Sequence, residues 1–146
     1  MHFEPFASWL KNTFRRAAWA PATVFVLYVV AASGFDLYLM FPNLDMATHF
    51  IGGVSISYFY LIAISNAKKM IGDIPVVIQF LFSISLTAMT AVVWEFLEFS
   101  SDVLFGTKLN LGVSDIISDL FFGILGAIMF SLAVYFYGIQ NFCDRP

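Results

Sequence analysis

Three acidic side chains close a long apolar stretch, and this arrangement restricts the fold more than any other feature of the chain. Glu95, Glu98 and Asp102 end an apolar run that begins near Val76. Their spacing of i, i+3 and i+7 places them along one face of an α-helix, which has about 3.6 residues per turn. A carboxylate at the centre of a membrane span costs about 2.5–3.5 kcal/mol or more. We therefore expect these acids to need a cation, a proton or a partner.

The composition indicates an integral membrane protein. Of the 146 residues, 60% are hydrophobic and only 12% are charged, whereas a soluble domain has about 25% charged residues. The single cysteine, Cys143, excludes an internal disulfide and a paired-cysteine metal site. A net charge of −3 without a long basic run argues against nucleic-acid binding.

Loop-forming residues divide the apolar sequence into four predicted membrane spans, at about residues 21–41, 46–66, 76–101 and 113–137. The predicted fold is therefore all-α, a four-helix transmembrane bundle with short loops that covers residues 21–138. Residues 1–20 form either an amphipathic helix in the membrane interface or a partly ordered basic flank. A cleaved signal peptide is the rival interpretation of the first span, but the apolar character continues too far for one. Residues 139–146 form a short tail.

The distribution of basic residues orients the predicted bundle. Lys11, Arg15 and Arg16 precede the first span, and Lys68 and Lys69 lie between the second and third spans. Cytoplasmic loops carry an excess of lysine and arginine. With four spans these two segments are on the same side, so the sequence predicts that both termini are cytoplasmic.

Most of the acids fall on the opposite side of the membrane. Seven of the ten acidic residues and one of the two histidines are at span ends that face away from the cytoplasm in this topology. They are Asp36, Asp45, Glu95, Glu98, Asp102, Asp115 and Asp119, with His49. Ionisable residues inside a membrane indicate function by default. We therefore predict one polar site at this end of the bundle.

The predicted site is rich in oxygen and has one imidazole, which favours hard divalent cations. Mg²⁺, Mn²⁺ and Ca²⁺ prefer such ligands, and zinc or iron is less favoured with a single histidine. The candidate metal ligands are Asp45, His49, Glu95, Glu98 and Asp119. Asp102 and Asp115 are the candidate catalytic residues, each as a further ligand or as a general base. Structural readings stay open for Asp45 and Asp115, because an aspartate at a helix start commonly stabilises the helix end.

The order of these motifs resembles the VanZ-like and YjdF-like membrane proteins. The resemblance is carried by Asp45…His49, by Trp94-Glu95-x-x-Glu98-x-x-x-Asp102, and by Asp115…Asp119 with Gly123 and Gly126 after it. It covers about residues 44–130 of the chain. The resemblance implies a small bundle of membrane-spanning helices with a polar site, in a bacterial plasma membrane.

Three functions fit the sequence. The first is a metal-dependent hydrolase that acts at the outer leaflet on a lipid or a lipid-linked phosphate or ester, with a cation-activated water as the nucleophile. The second is an ion- or proton-coupled transport element in which the carboxylates bind the ion. The third is a non-catalytic small subunit or assembly factor of a membrane complex. Membrane lipids are the expected partners, and a homo-oligomer or partner membrane subunits are compatible with each function.

Overall fold

The computed structural model describes residues 4–34, 41 and 43–138, and within them the chain is helical apart from short connections. The helices are α1 (Glu4–Ala17), α2 (Trp19–Gly34), α3 (Asn43–Ile71), α4 (Val76–Phe105) and α5 (Val113–Tyr137). The all-α class predicted from the sequence is confirmed.

Three of these helices are long and apolar enough to cross a membrane. They are α3, α4 and α5, with 29, 30 and 25 residues, against the ~20 residues that a span needs. The helix α2 has 16 residues and is apolar over Trp19–Val30. The sequence predicted that this first span continues to residue 41, but residues 35–40 lie outside the described part of the chain. The described residues therefore contain three long apolar helices and two further helices, α1 and α2, and the four predicted spans are confirmed only for three.

The surface and the interior have the polarity expected of a protein surrounded by lipid. Large apolar side chains cover the outside of the long helices: Phe96 is 65% exposed and Phe99 is 59% exposed. Many of the buried side chains between helices are small or polar instead, among them Ser57, Ser83 and Thr87. Lipid provides no hydrophobic force that would bring helices together, so close packing and hydrogen bonds do so.

Glycines allow α3 and α5 to approach each other closely. A Cβ atom added to Gly53 would lie 1.9 Å from the carbonyl oxygen of Gly123, and one added to Gly126 would lie 2.2 Å from that of Phe50. Only glycine fits at either position without a movement of the backbone. This contact holds the first turns of α3 beside the first turns of α5.

The helix α4 runs in the opposite direction to α3. Ser57 of α3 shares a hydrogen bond of 2.9 Å with Ser83 of α4, whereas His49, earlier in α3, lies beside Glu95, later in α4. The start of α3, the end of α4 and the start of α5 therefore meet at one end of the molecule. Most of the acids are at this end.

The N-terminal helix packs against the opposite end of α3. Trp9 donates a hydrogen bond of 2.8 Å from Nε1 to the carbonyl of Ala63, and Asn66 donates one of 3.1 Å to the hydroxyl of Thr13. Thr13 is only 1% exposed. These contacts fix α1 on α3, near the connection between α3 and α4 and far from the acids.

Candidate functional site

His49 lies between two aspartates at the end where α3, α4 and α5 meet. Asp45 precedes it by one turn of α3, and Asp119 faces it from the second turn of α5. The distance from Nε2 of His49 is 3.6 Å to Oδ1 of Asp45 and 3.8 Å to Oδ1 of Asp119. The Asp119 side chain is 3% exposed and that of His49 is 9% exposed. Both distances are longer than a good hydrogen bond. His49 is therefore near both carboxylates without being tightly bonded to either of them.

Glu98 of α4 is held by two aromatic side chains. Its Oε1 accepts a hydrogen bond of 2.8 Å from the hydroxyl of Tyr28 on α2 and one of 2.9 Å from Nε1 of Trp94. The rings of Tyr28 and Trp94 also meet edge to face, with centroids 5.0 Å apart. Since Oε1 takes both bonds, Oε2 of Glu98 is left for another partner.

Glu95 is buried and neither of its carboxylate oxygens has a hydrogen-bond partner. The residue is only 6% exposed, and both Oε1 and Oε2 are fully buried without a donor. The other buried polar atoms that lack a partner in the described chain belong to neutral side chains, Gln79, Asn110 and Ser131. A buried ionised carboxylate is far costlier than a neutral group unless something compensates its charge. Among the described residues, Glu95 is therefore the buried group that most needs a ligand.

The acids and the histidine form two overlapping groups with distances suited to a cation. One group is Asp45, His49 and Asp119; the other is His49, Glu95 and Glu98. In each, the candidate ligand atoms lie within 4.8 Å of one another. Two oxygens on opposite sides of a Ca²⁺ ion are about 4.6–5.2 Å apart, because each Ca–O bond is 2.3–2.6 Å. We refer to these five residues as the acidic cluster: Asp45, His49, Glu95, Glu98 and Asp119.

In the described part of the chain, no lysine or arginine forms an ion pair with the acidic cluster. Among the described residues, no lysine or arginine nitrogen lies within 4.0 Å of its carboxylates, and the ion-pair contacts there involve only His49. Asp115 at the start of α5 is close enough to act electrostatically on Asp45, Glu95 and Asp119. The result is a concentration of acids in a setting with little water, which a bound cation would relieve.

The two residues predicted as catalytic are located differently. Both carboxylate oxygens of Asp102 bind the loop after α4, where Thr107, Leu109 and Asn110 donate to them at 2.5, 2.9 and 3.0 Å. Asp102 is outside both groups of candidate ligands and serves to close this loop. Asp115 accepts one hydrogen bond, of 2.8 Å, from the amide of Leu111, which is consistent with the structural reading that the sequence left open.

The structure thus brings together the five residues predicted to bind metal, with Asp115 close by and Asp102 turned towards its own loop. Asp36, the remaining acid predicted for this end, lies outside the described residues. Tyr28 and Trp94 were not identified from the sequence as members of the site. Trp94 could have been found by its i, i+4 spacing to Glu98, but nothing in the sequence of α2 relates Tyr28 to α4.

Comparison with known proteins assigns the chain to a family. A family model described as "Predicted membrane protein (DUF2238)" matches residues 2–140, which include every helix and the whole acidic cluster. A comparison with curated proteins found no match, and neither did a comparison with solved structures. The match supports a membrane protein family but does not extend to the VanZ-like or YjdF-like name. Because it covers nearly the whole sequence, the chain belongs to the family of predicted membrane proteins DUF2238.

Proposed function

We propose that the protein binds a divalent cation in the acidic cluster and uses it to hydrolyse a membrane lipid or a lipid-linked phosphate or ester. The observation that carries the proposal is Glu95, a buried carboxylate whose two oxygens have no partner although His49 and Glu98 are close by. An arrangement of acids alone would be weak support. A buried side chain aimed into the arrangement with its charge uncompensated is stronger, because only a cation or a proton would satisfy it.

The donor atoms favour a hard cation. The cluster offers four carboxylates and one imidazole, the ligand type that Mg²⁺, Mn²⁺ and Ca²⁺ prefer. Zinc and iron sites usually contain more nitrogen or sulfur ligands. The 3.6 and 3.8 Å separations around His49 fit two ligand atoms that share one Ca²⁺ ion, whose bonds are about 2.3–2.6 Å long and whose angles are flexible.

The chemistry assigned to the chain follows from the cluster and its neighbours. A bound divalent cation supplies polarisation of a substrate oxygen and activation of a water. We assign to Asp115 the acceptance of the proton of that water, since its Oδ2 accepts a hydrogen bond from Leu111 and its Oδ1 is left available. Asp102 is a poorer candidate for this role, because its own loop uses both of its oxygens. Tyr28 and Trp94 hold the Glu98 carboxylate in a fixed orientation.

The same proposal places the protein in a bacterial plasma membrane as a four-span bundle with cytoplasmic termini. The helix directions support this placement, because the acidic cluster and the basic residues Lys68 and Lys69 lie at opposite ends of α3. The helix α2 would complete the first span, and α1 would lie along the cytoplasmic surface. The VanZ-like and YjdF-like resemblance belongs to this proposal too.

The test is to measure bound metal by elemental mass spectrometry on the protein purified in mild detergent. We expect a near-stoichiometric cation in the wild type and its loss in Glu95→Gln and in Asp119→Asn. Asp73→Asn is the matched control, because it removes one exposed carboxylate near the other end of the molecule and should leave the metal in place. A wild type that retains no cation after separate additions of Mg²⁺, Mn²⁺, Ca²⁺, Fe²⁺ and Zn²⁺ would refute the proposal.

The second step is a hydrolysis assay with phospholipid and alkyl phosphate substrates in the presence of the retained cation. Glu95→Gln should abolish turnover, and Asp73→Asn should not. Wild-type turnover in Glu95→Gln would exclude the assigned role of the cluster. Ion flux into proteoliposomes without hydrolysis would instead support the transport function.

A further inference from the structure

A crevice lies next to the acidic cluster, between α2 and α4, with α3 as its floor. Its volume is about 110 Å³, and residues of these three helices line it, including Phe25, Gly52, Ala91 and His49, together with Gly123 of α5. Phe25 is 52% exposed, which puts it at the rim. Because all three helices are apolar on their outer surface, the crevice opens towards the hydrocarbon of the membrane.

The walls of the crevice are apolar although they include three side chains with hydroxyl groups. Three threonines line it, Thr48, Thr87 and Thr90. Each hydroxyl donates a hydrogen bond of 2.8 Å to a carbonyl one turn earlier in its own helix. This bond satisfies the hydroxyl within the helix, so the crevice does not need water to solvate it. The space therefore suits a hydrocarbon group better than a polar one.

The floor of the crevice is kept open by a glycine that packing does not require. A Cβ atom added to Gly52 would have no atom within 4 Å, although the same atom on the adjacent Gly53 would collide with α5. Gly53 is thus explained by the contact between helices, and Gly52 is not. Its effect is to leave free space beside His49.

The crevice is elongated and leads to the acidic cluster. Pro21 and Tyr28 both line it and are about 10 Å apart along α2, at 1.5 Å per residue. At the cluster end, Tyr28 and Trp94 are both part of the wall and donors to Glu98. A molecule lying in the crevice with its end at Tyr28 would thus present that end to His49 and Glu98.

We propose that this crevice binds the alkyl chain of a lipid whose polar head group is held at the acidic cluster. The volume is smaller than that of a cavity of about 150 Å³ which holds one benzene molecule, so it accommodates part of one chain and not a whole lipid. An alkyl chain is the elongated apolar group that a membrane supplies in quantity. The head-group half of this inference rests on the proposed function; the chain half does not.

The experiment uses the full-length protein in nanodiscs of phosphatidylglycerol that contain a small fraction of the same lipid with a diazirine in the acyl chain. After illumination, cross-linked positions are mapped by mass spectrometry. We expect labelling of crevice residues such as Val24 and Ala91 above that of Val93, which is 49% exposed on the outer face of α4. Gly52→Leu should cause loss of the crevice labelling, because its side chain enters the free space, and should leave the labelling of Val93 unchanged.

Three further measurements complete the test. Ala47→Leu adds bulk at an exposed position of the same helix and should change nothing. Gly52→Ala adds a smaller side chain and should also reduce the crevice labelling. It replaces Gly52→Leu in the test if that variant does not fold. Unlabelled dodecyl phosphate should compete for the crevice but not for Val93, whereas dodecane should compete less well because it has no head group.

The outcomes separate this inference from the proposed function. Crevice labelling equal to that of Val93, or unaffected by both Gly52 variants, would overturn the chain site and identify the lipid there as ordinary boundary lipid. Gly52→Leu should still retain the cation in the metal measurement. Labelling that depends on Gly52 in a protein without bound cation would uphold the chain site while refuting the cation site.

Discussion

Where α1 packs against α3, the polar side chains that α1 places at the contact have hydrogen-bond partners, whereas at the acidic end Glu95 has none within the part of the chain that the structure describes and His49 has no close one. Trp9 and Thr13 pair with α3 at 2.8 and 3.1 Å. Glu95 has no partner for either oxygen, and His49 is 3.6 Å or more from its two aspartates. The first arrangement stabilises a helix contact without any ligand. The second leaves a buried carboxylate unsatisfied unless a cation or a proton binds, and this contrast underlies the proposed cation site.

The largest effect that would test this contrast is the stabilisation of the acidic end by the proposed cation. At a cation concentration about 100 times Kd, binding adds about 2.7 kcal/mol to the free energy of unfolding. Glu95→Gln should lose this gain, while Thr13→Val, at the other end, should keep it. The measurement is chemical unfolding in detergent with and without the cation. An equal gain in the free energy of unfolding in wild type and Glu95→Gln would show that Glu95 does not bind the cation.

A second comparison lies within α4 and needs no cation. Asp102 accepts three hydrogen bonds from its loop, and bonds to a charged group contribute about 1.5–3 kcal/mol. With a chelator present, we expect Asp102→Asn to lower the free energy of unfolding by about 2 kcal/mol. Glu95→Gln should leave it unchanged or raise it, because that carboxylate accepts nothing and its charge is repelled by its neighbours. The same direction of change in both variants would contradict the assignment of roles.

Tyr28→Phe tests whether a residue that only orients a candidate ligand affects cation binding. It removes one of the two donors to Glu98 and keeps the ring contact with Trp94. Residues that orient metal ligands typically account for about 10–100-fold in metal affinity, so we expect a loss of about tenfold by calorimetric titration. Tyr60→Phe is the matched control, since its hydroxyl pairs with Thr90 and not with the cluster. An unchanged cation affinity in Tyr28→Phe would show that the hydrogen bond from Tyr28 is not needed to orient Glu98.

The sequence predicted the helical class and the end of the molecule at which the acids gather. Long apolar runs fix where helices form, and consecutive spans joined by short loops must run in alternate directions, which brings the acids to one end. The i, i+4 spacing was also sufficient to put Asp45 and His49 on one face of α3. These features depend on local periodicity, and local periodicity is visible in one sequence.

The rotation of the helices and the use made of each carboxylate were not predictable from the sequence. Glu95 and Asp102 share one stripe of α4, yet only Glu95 points into the cluster. Gly106 ends α4 in a left-handed conformation, with φ of 67°, and the chain then folds back so that the amides of Leu109 and Asn110 reach Asp102. That reversal depends on the loop geometry, which the spacing of the acids does not encode.

The smallest predicted effect is at the end of the molecule where α1 packs against α3. Thr13→Val keeps the shape of the side chain and removes the acceptor of the Asn66 amide, and a neutral hydrogen bond contributes about 1 kcal/mol. We expect unfolding to become easier by about this amount, with no change in cation affinity. The double variant with Asn66→Ala should be less destabilised than the sum of the two single variants, because both remove the same bond. If Thr13→Val weakened cation binding instead, the two ends would be coupled through α3, and the acidic end could no longer be treated as an independent site.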